Sequence, residues 1–188
     1  MPQENVEIVR AVRIPLPEQE TRRHRTLDER IVVHFPALAR LFGGAFARLP
    51  QHSQLRRAIL TRRVRHYYAA ANRRDFALLV TGYDPAVEYQ PAELFPDPDP
   101  TYHGHDGIRE VWQVLLDAFG DVRLDPEELF DLGDRILVTT KLSGHGTGSG
   151  VSISQHLFQF FTLRQGLAIR QADYLNRAEA FEAVGLAE

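Results

Sequence analysis

"DRILVTTKLSGHGTGSGVSISQHLFQFFTLRQGLAIRQADYL", residues 134–175, alternates with a period of two, and its reading decides the fold. With "DVRLDPEELFD" (121–131) ahead of it, the stretch divides into four strands joined by turns at "LGD", "GTGSG" and "RQG". Segments rich in Val, Ile, Thr and Phe between glycine-bearing turns are the pattern of an antiparallel meander. The strand "VSISQHLFQFFTL" (151–163) is apolar on both faces. Val151, Ile153, Leu157, Phe161 and Leu163 share one face with Gln155 and Gln159, while His156, Phe158 and Phe160 share the other. A sheet apolar on both sides has to be covered twice. Helices supply one cover, and the sheet of a second copy is the expected other, so the chain is read as a homodimer joined through its sheet.

Working outward, the period changes to that of helices. "NRAEAFEAVGL" (176–186) closes the chain as a short helix. "HDGIREVWQVLLDAF" (105–119) puts Ile108, Val111, Trp112, Leu115, Leu116 and Phe119 on one helical face, with His105 or Asp106 at its cap. Ser53 is the N-cap of a helix that Asn72 ends, and "RRDFALLVTGY" (73–83) begins a shorter one. "AVEYQ" (86–90) reads as a strand and "PAELFPDPDP" (91–100), with its four prolines, as a loop. Before residue 60 the chain reads as an arm. "QENVEIVRAV" (3–12) is a short helix, "RIPLPEQETRRHR" (13–25) a charged connector, and Phe35, Leu38, Phe42, Phe46 and Leu49 recur at helical spacing after a capping box at Thr26 and Glu29. Helices followed by a run of strands make an α+β fold. The expected division is a basic helical arm at 1–60 and an α+β domain at 61–188.

At 188 residues the chain is long enough for one domain with a real core. It contains no cysteine, which excludes disulfides, zinc–thiolate sites and thiol nucleophiles and suits a reducing cytoplasm. "MPQENVEIVR" is polar and acidic where a secretory leader would be apolar. The apolar stretch 31–49 is interrupted by His34, Pro36, Arg40 and Arg48, so no membrane span is expected and the expected location is the cytoplasm. Charge is distributed unevenly: residues 1–65 carry 13 arginines against 6 acids, whereas residues 66–188 carry 9 basic against 19 acidic side chains. A basic arm lying on an acidic body is the reading preferred over contact with a membrane surface; nucleic acid is not an expected partner, because the arm lacks interleaved aromatics and any recognition motif.

Two patterns invite a chemical reading and fail it. "HGH" (103–105) is too few ligands for a transition metal, so no metal is expected there and the pair belongs to the start of a helix, with His105 available at a pocket rim. "GHGTGSG" (144–150) joins two strands and precedes no helix, so it lacks the physical basis of a phosphate loop.

In order and spacing, "ENVEIVRAV" (4–12), "YYAAANRRDFALL" (67–79), "YDPAVEY" (83–89), "YHGHDGIREVW" (102–112), "FFTLRQG" (160–166) and "DYLNRAEAFEAVGL" (173–186) resemble the SnoaL-like branch of the nuclear-transport-factor-2-like superfamily. The resemblance covers residues 1–12 and roughly 61–188, with about fifty residues of arm between. It implies helices packed on a strongly curved antiparallel sheet, forming a cone with an internal pocket, and frequent dimers. Ketosteroid isomerase, within the same superfamily, implies a tyrosine at Tyr67, with Tyr68 the second choice, but Tyr89 stands where its base aspartate belongs and Gln155 where its acid belongs. Limonene epoxide hydrolase implies an acid matched by Asp173 in "RQADYLN", but Thr140 and Leu142 replace its Arg-x-Asp pair. Polyketide cyclases of the SnoaL type require less: an apolar pocket and an aspartate near the end of the last strand.

Asp173 is therefore the candidate general acid/base, since a carboxyl in apolar surroundings can hold a proton near neutral pH. An acid ahead of "NRAEAF" is equally a cap for the closing helix. Tyr67, Tyr89, His105, Trp112, Gln155, His156 and Phe161 are the candidate ligand-binding residues. The expected function is binding of a small apolar carbonyl-type metabolite, polyketide- or terpenoid-like, with any turnover a cofactor-independent cyclisation, isomerisation or hydrolysis. The alternative is a non-catalytic dimerisation module whose pocket is filled by its own arm.

Overall fold

A computed structural model of the chain describes residues 11–17, 24–35, 44–92, 101–148 and 150–186. The elements in chain order are β1 (Val12–Pro15), α1 (Leu27–His34), α2 (Gln54–Asn72) and α3 (Phe76–Leu79), which runs into a single 3-10 turn. There follow β2 (Tyr83–Gln90), β3 (Tyr102–His103), α4 (Gly104–Ala118), β4 (Arg123–Asp131), β5 (Arg135–His145), β6 (Ser152–Arg164), β7 (Leu167–Tyr174) and α5 (Arg177–Val184). The strands form one curved, unclosed sheet in the order β1-β4-β5-β6-β7-β2-β3. The β4–β7 meander is antiparallel throughout, and β2 joins it parallel to β7.

Curvature has a local origin. In β4 the register shifts between Pro126 and Glu128, where a proline's missing N–H can be accommodated. The shift reverses the alternation, so that even-numbered Leu124 before it and odd-numbered Leu129 after it both enter the same core. A second shift lies between Thr162 and Leu163 of β6. Bent in this way, the sheet wraps its inner face around α2 and α4. The inner core takes Leu60, Val64 and Tyr68 from α2, Ile108, Val111 and Trp112 from α4, and Ile136, Val138, Leu142, Leu157 and Phe161 from the sheet.

The outer face has its own cover within the chain. α5 places Ala180, Phe181 and Val184 over Phe130, Leu137 and Phe158, with the Phe130 and Phe181 rings edge to face at 5.4 Å. Sequence alternation assigned this cover to a second copy, because a closing helix of eight residues gives no sign of where it folds back. Asn176 caps α5, its side-chain oxygen accepting from the N–H of Ala178 at 2.8 Å. Asp173 is thereby free of the capping role.

Other boundaries differ in detail. α4 is capped at His103, ahead of the expected His105 or Asp106, and its first residue, Gly104, takes φ +67° where a Cβ would lie 3.0 Å from the Pro85 carbonyl oxygen. β2 begins at Tyr83, three residues before the expected Ala86. Residues 12–15, read as helix end and connector, pair with β4 as an edge strand. The expected helix at 3–12 lies outside the described residues except for Ala11 and Val12, as do residues 93–100 of the proline-rich loop and Leu38 and Phe42 of the arm.

The N-terminal segments are held by ion pairs whose acids lie in α1, at the cap of α3 and in β4. Arg25 reaches Asp75 with two contacts of 2.6 and 2.5 Å, and Arg73 reaches the buried Glu29 at 3.0 Å. Glu29 also accepts the N–H of Thr26 at 2.9 Å, completing its half of the capping box. Near its start α2 carries Arg56, which grips Asp131 through Nε at 2.6 Å and Nη2 at 2.9 Å, both residues almost fully buried. α2 itself runs unbroken across residue 60, the boundary expected between arm and α+β domain.

Candidate functional site

Inside the cone a polar chain runs through otherwise apolar surroundings. α2 contributes Tyr67 and Tyr68, consecutive residues that take different partners. β2 contributes Tyr83 and Tyr89, β5 Thr140, β6 Gln159 and β7 Gln171 and Asp173. Strand pairing makes the cluster: Gln159 is opposite Asp173, and Phe161 is opposite Gln171.

Asp173 receives three donors. Gln171 Nε2 lies 2.8 Å from Oδ1, the Tyr89 hydroxyl 2.7 Å from Oδ2 and Gln159 Nε2 3.2 Å from Oδ2. Because each amide spends its NH2 on the carboxylate, its oxygen must accept from elsewhere. The Gln159 oxygen accepts from Tyr68 at 2.7 Å, and Thr140 in turn donates to the Tyr68 hydroxyl at 3.0 Å. The Gln171 oxygen accepts from Tyr83. The single proton of Tyr83 being thus committed, the 2.7 Å contact between the hydroxyls of Tyr67 and Tyr83 has Tyr67 as donor. Every proton in the network points towards Asp173.

Burial pushes the Asp173 carboxyl up to about 6, against the opposing hydrogen bonds from Gln171, Tyr89 and Gln159. No cation contributes to that balance. Burial likewise raises Tyr67, Tyr68, Tyr83 and Tyr89, so all four phenols remain protonated donors at ordinary pH. Asp173 is the group in the network whose charge changes near neutrality.

Beside the network lies an apolar cavity of about 90 Å³, walled by Leu60, Val64, Ile136, Val138, Phe161 and Leu163 and faced by Tyr67, Tyr68 and Tyr83. Among the described residues none before Leu60 lines it. Arg63, Tyr67 and Gly82 are shared between this cavity and a wider apolar groove that Val32, Phe46, Leu49, Ile59 and Leu79 help to line. Asp173 does not line the cavity; its connection runs through Gln171 and Tyr83 to Tyr67, and through Gln159 to Tyr68.

The candidate residues named from the sequence fall into three places. Tyr67 and Phe161 meet at the cavity with their rings edge to face at 5.8 Å, and Tyr89 holds Asp173. Trp112 is buried in the apolar core against Phe76, and His105 ties α4 to β2 through a 3.1 Å contact with the Tyr83 carbonyl oxygen. Gln155 and His156 lie exposed near the far end of β6, where His156 comes within 3.3 Å of Glu127, and the structure does not bring them to the cluster. Gln159, two strand repeats further on, occupies the place beside the acid. Gln159 and Gln171 interrupt apolar faces, which is the signal by which they could have been found. Tyr83 and Arg63 carry no such signal. Among the described residues no group of three His, Asp or Glu is placed to hold a metal ion, and no helix is long and apolar enough to cross a membrane.

Comparison with known proteins bears on this geometry. A family model described as the SnoaL-like domain matches residues 64–171, more than half of the chain. Among solved structures, TerC co-crystallised with polyporic acid is 26% identical with a TM-score of 0.55, covering 64% of this chain and 94% of that one. A nuclear-transport-factor-2-like protein of unknown function from Burkholderia pseudomallei is 24% identical with a TM-score of 0.54, covering 65% and 95% respectively. A ketosteroid isomerase-like protein from Catenulispora acidiphila, in complex with trimethylamine, is 16% identical with a TM-score of 0.53, covering 66% and 92%, and shares the fold. A search of curated proteins finds no match.

Proposed function

The chain belongs to the SnoaL-like domain family, and from that premise we propose that its cone holds a small, largely apolar carbonyl-type molecule of polyketide or terpenoid kind. The observation that carries this reading is the hydrogen-bond chain joining a buried carboxyl to the wall of an apolar cavity. A pocket with apolar walls and a few convergent polar groups is how proteins orient small molecules. The co-crystallisation of TerC with polyporic acid supports the use of this scaffold for such a purpose.

The polarity of the chain gives Asp173 its part. With the carboxylate ionised, the Tyr67 proton is turned inward and the cavity meets only an oxygen lone pair. A proton taken up on Oδ1 requires Gln171 to present its carbonyl instead. Its NH2 then donates to Tyr83, Tyr83 donates to Tyr67, and the Tyr67 O–H is released towards the cavity, where a ligand carbonyl can accept it. Asp173 is in this reading an acid that acts through Tyr67, and any proton delivered to or collected from a ligand passes at the Tyr67 oxygen.

Thermal unfolding against a panel of small branched ketones, lactones and epoxides tests the proposal. A ligand at about a hundred times its dissociation constant adds about 2.7 kcal/mol of stability. Ketone binding to the wild-type chain is expected to weaken as the pH rises through about 6, because the protonated carboxyl frees the donor. Asp173→Asn, which carries no titrating proton, is expected to bind ketone without that pH dependence. Absence of a shift with every compound would overturn the reading.

A cytoplasmic homodimer joined through the outer sheet face belongs to the same proposal. α5 covers the Phe130–Phe158 region, while the neighbouring concave surface carries Arg13, Arg123, Lys141 and Arg177 alongside Asp125, Glu127 and Glu128. A face bearing both signs can be complementary to itself across a two-fold axis. Light scattering should return twice the chain mass of 21.4 kDa, and a monomer mass would remove the dimer.

A further inference from the structure

Arg63 stands apart from its neighbours. Arg56, Arg62 and Arg73 each hold a carboxylate, on Asp131, Asp28 and Glu29 respectively. The Arg63 guanidinium donates through Nη2 to the carbonyl oxygen of Gly166, in the β6–β7 turn, and has no carboxylate partner among the described residues. Its centre lies 5.6 Å from the Phe46 ring, whose other cation, Arg56, is already neutralised by Asp131. Arg63 is only partly buried, and the Gly166 carbonyl is its one hydrogen-bond partner among the described residues. Arg63 and Gly166 both line the apolar cavity, and Arg63 also lines the adjoining groove. The acids lining the adjoining groove, Asp28 and Glu29, are engaged by Arg62 and by Arg73.

We propose that Arg63 is the anchor for an anionic head group, and that the molecule held by the cone is a short apolar carboxylate whose hydrocarbon end enters the cavity. This rests on the small-molecule reading above and names the chemical class. A guanidinium presents paired N–H groups in the plane that a carboxylate accepts. Burial disfavours its charge, and no counter-ion among the described residues offsets that cost, so a ligand carboxylate would supply the partner. The cavity sets the size of the other end: an apolar void of about 150 Å³ admits benzene, and at about 90 Å³ this one fits a branched chain of three or four carbons.

The test uses a matched pair, isovalerate and methyl isobutyl ketone, which share a hydrocarbon end and differ by exchange of one carboxylate oxygen for a methyl group. Titration calorimetry near pH 6, on the full chain, should give isovalerate an affinity about tenfold or more above the ketone, the gain of a charge-assisted hydrogen bond. Arg63→Gln should abolish the preference, bringing the ratio of isovalerate to ketone affinity to about one, with circular dichroism confirming the fold. Equal affinities in the wild type, or a preference that survives Arg63→Gln, would overturn the anchor and leave the small-molecule reading standing. Failure of both compounds to bind would overturn both. Should Arg63→Gln not fold, the wild-type comparison decides by itself.

Discussion

Arg56→Met is expected to lower stability by about 3–5 kcal/mol, the range for breaking a buried ion pair from one side. The cause is what the substitution leaves behind. Asp131 is 1% exposed, and with Arg56 gone its side chain would retain, among the described residues, only the Gly133 N–H at 3.0 Å. Removal of the cation also releases the Leu49 and Gly133 carbonyl oxygens that it satisfies. In a chain of this size each kcal/mol moves the unfolding midpoint by about 2–4 °C, so the loss should be plain in a circular dichroism melt. Asp131→Ala should be comparably harmful, and the double variant should lose less than the sum, since each single change destroys the same pair. The exposed Arg13–Glu128 pair is the control, and Arg13→Ala should leave the midpoint unmoved. A loss below about 1 kcal/mol for Arg56→Met would mean that water reaches the pair in solution.

Asp173 should give the chain an unusual pH profile. Its carboxyl lies at about 6 in the fold against 3.8 ordinarily. Between those values the folded chain keeps a proton that the unfolded chain has released, so stability falls as pH rises through that window. The contribution is fully present below it and lost above it. A displacement of about two pH units corresponds to about 3 kcal/mol. Asp28 works with the opposite sign, but it is held down to about 2 by its hydrogen bonds from Thr26 and Arg62, despite some burial, so its window lies lower. Melts of wild type and Asp173→Asn from about pH 4 to about pH 7 isolate the effect. The wild type should lose about 6–12 °C relative to the variant across that range. A constant difference between the two would mean that the buried carboxyl does not titrate there.

Much of the fold could be read from periodicity because the signals were local. The four meander strands, the cap at Ser53, the end of α2 at Asn72 and the face of α4 all follow from residues close together in the chain. What could not be read depends on distant encounters. α5 covers the outer sheet face because Phe181 meets Phe130, and β1 exists because Val12–Pro15 meets β4, and neither meeting is written in either segment. The site divides in the same way. Tyr67, Tyr89, Phe161 and Asp173 were reachable through family resemblance. Gln155 was named from its position in that resemblance, whereas strand register puts Gln159 opposite Asp173. Alternation gives both glutamines one face but does not say how far along the strand the acid lies. Tyr83 and Arg63 required the folded cone, since only there does one join the polar chain and the other line the cavity.

The continuity of α2 has a consequence for how the chain can be divided. A shortened version starting at residue 61 would keep every residue of the family match, yet it would behead the helix that carries Tyr67 and Tyr68. It would lose the Ser53 cap, the edge strand and the one cation that pairs with Asp131 among the described residues, leaving a buried carboxylate among apolar strands. The arm is therefore not cargo attached to a self-sufficient module. A cut that respects the physics falls before β1, and any recombination of this cone with another N-terminus has to bring its own arginine to Asp131.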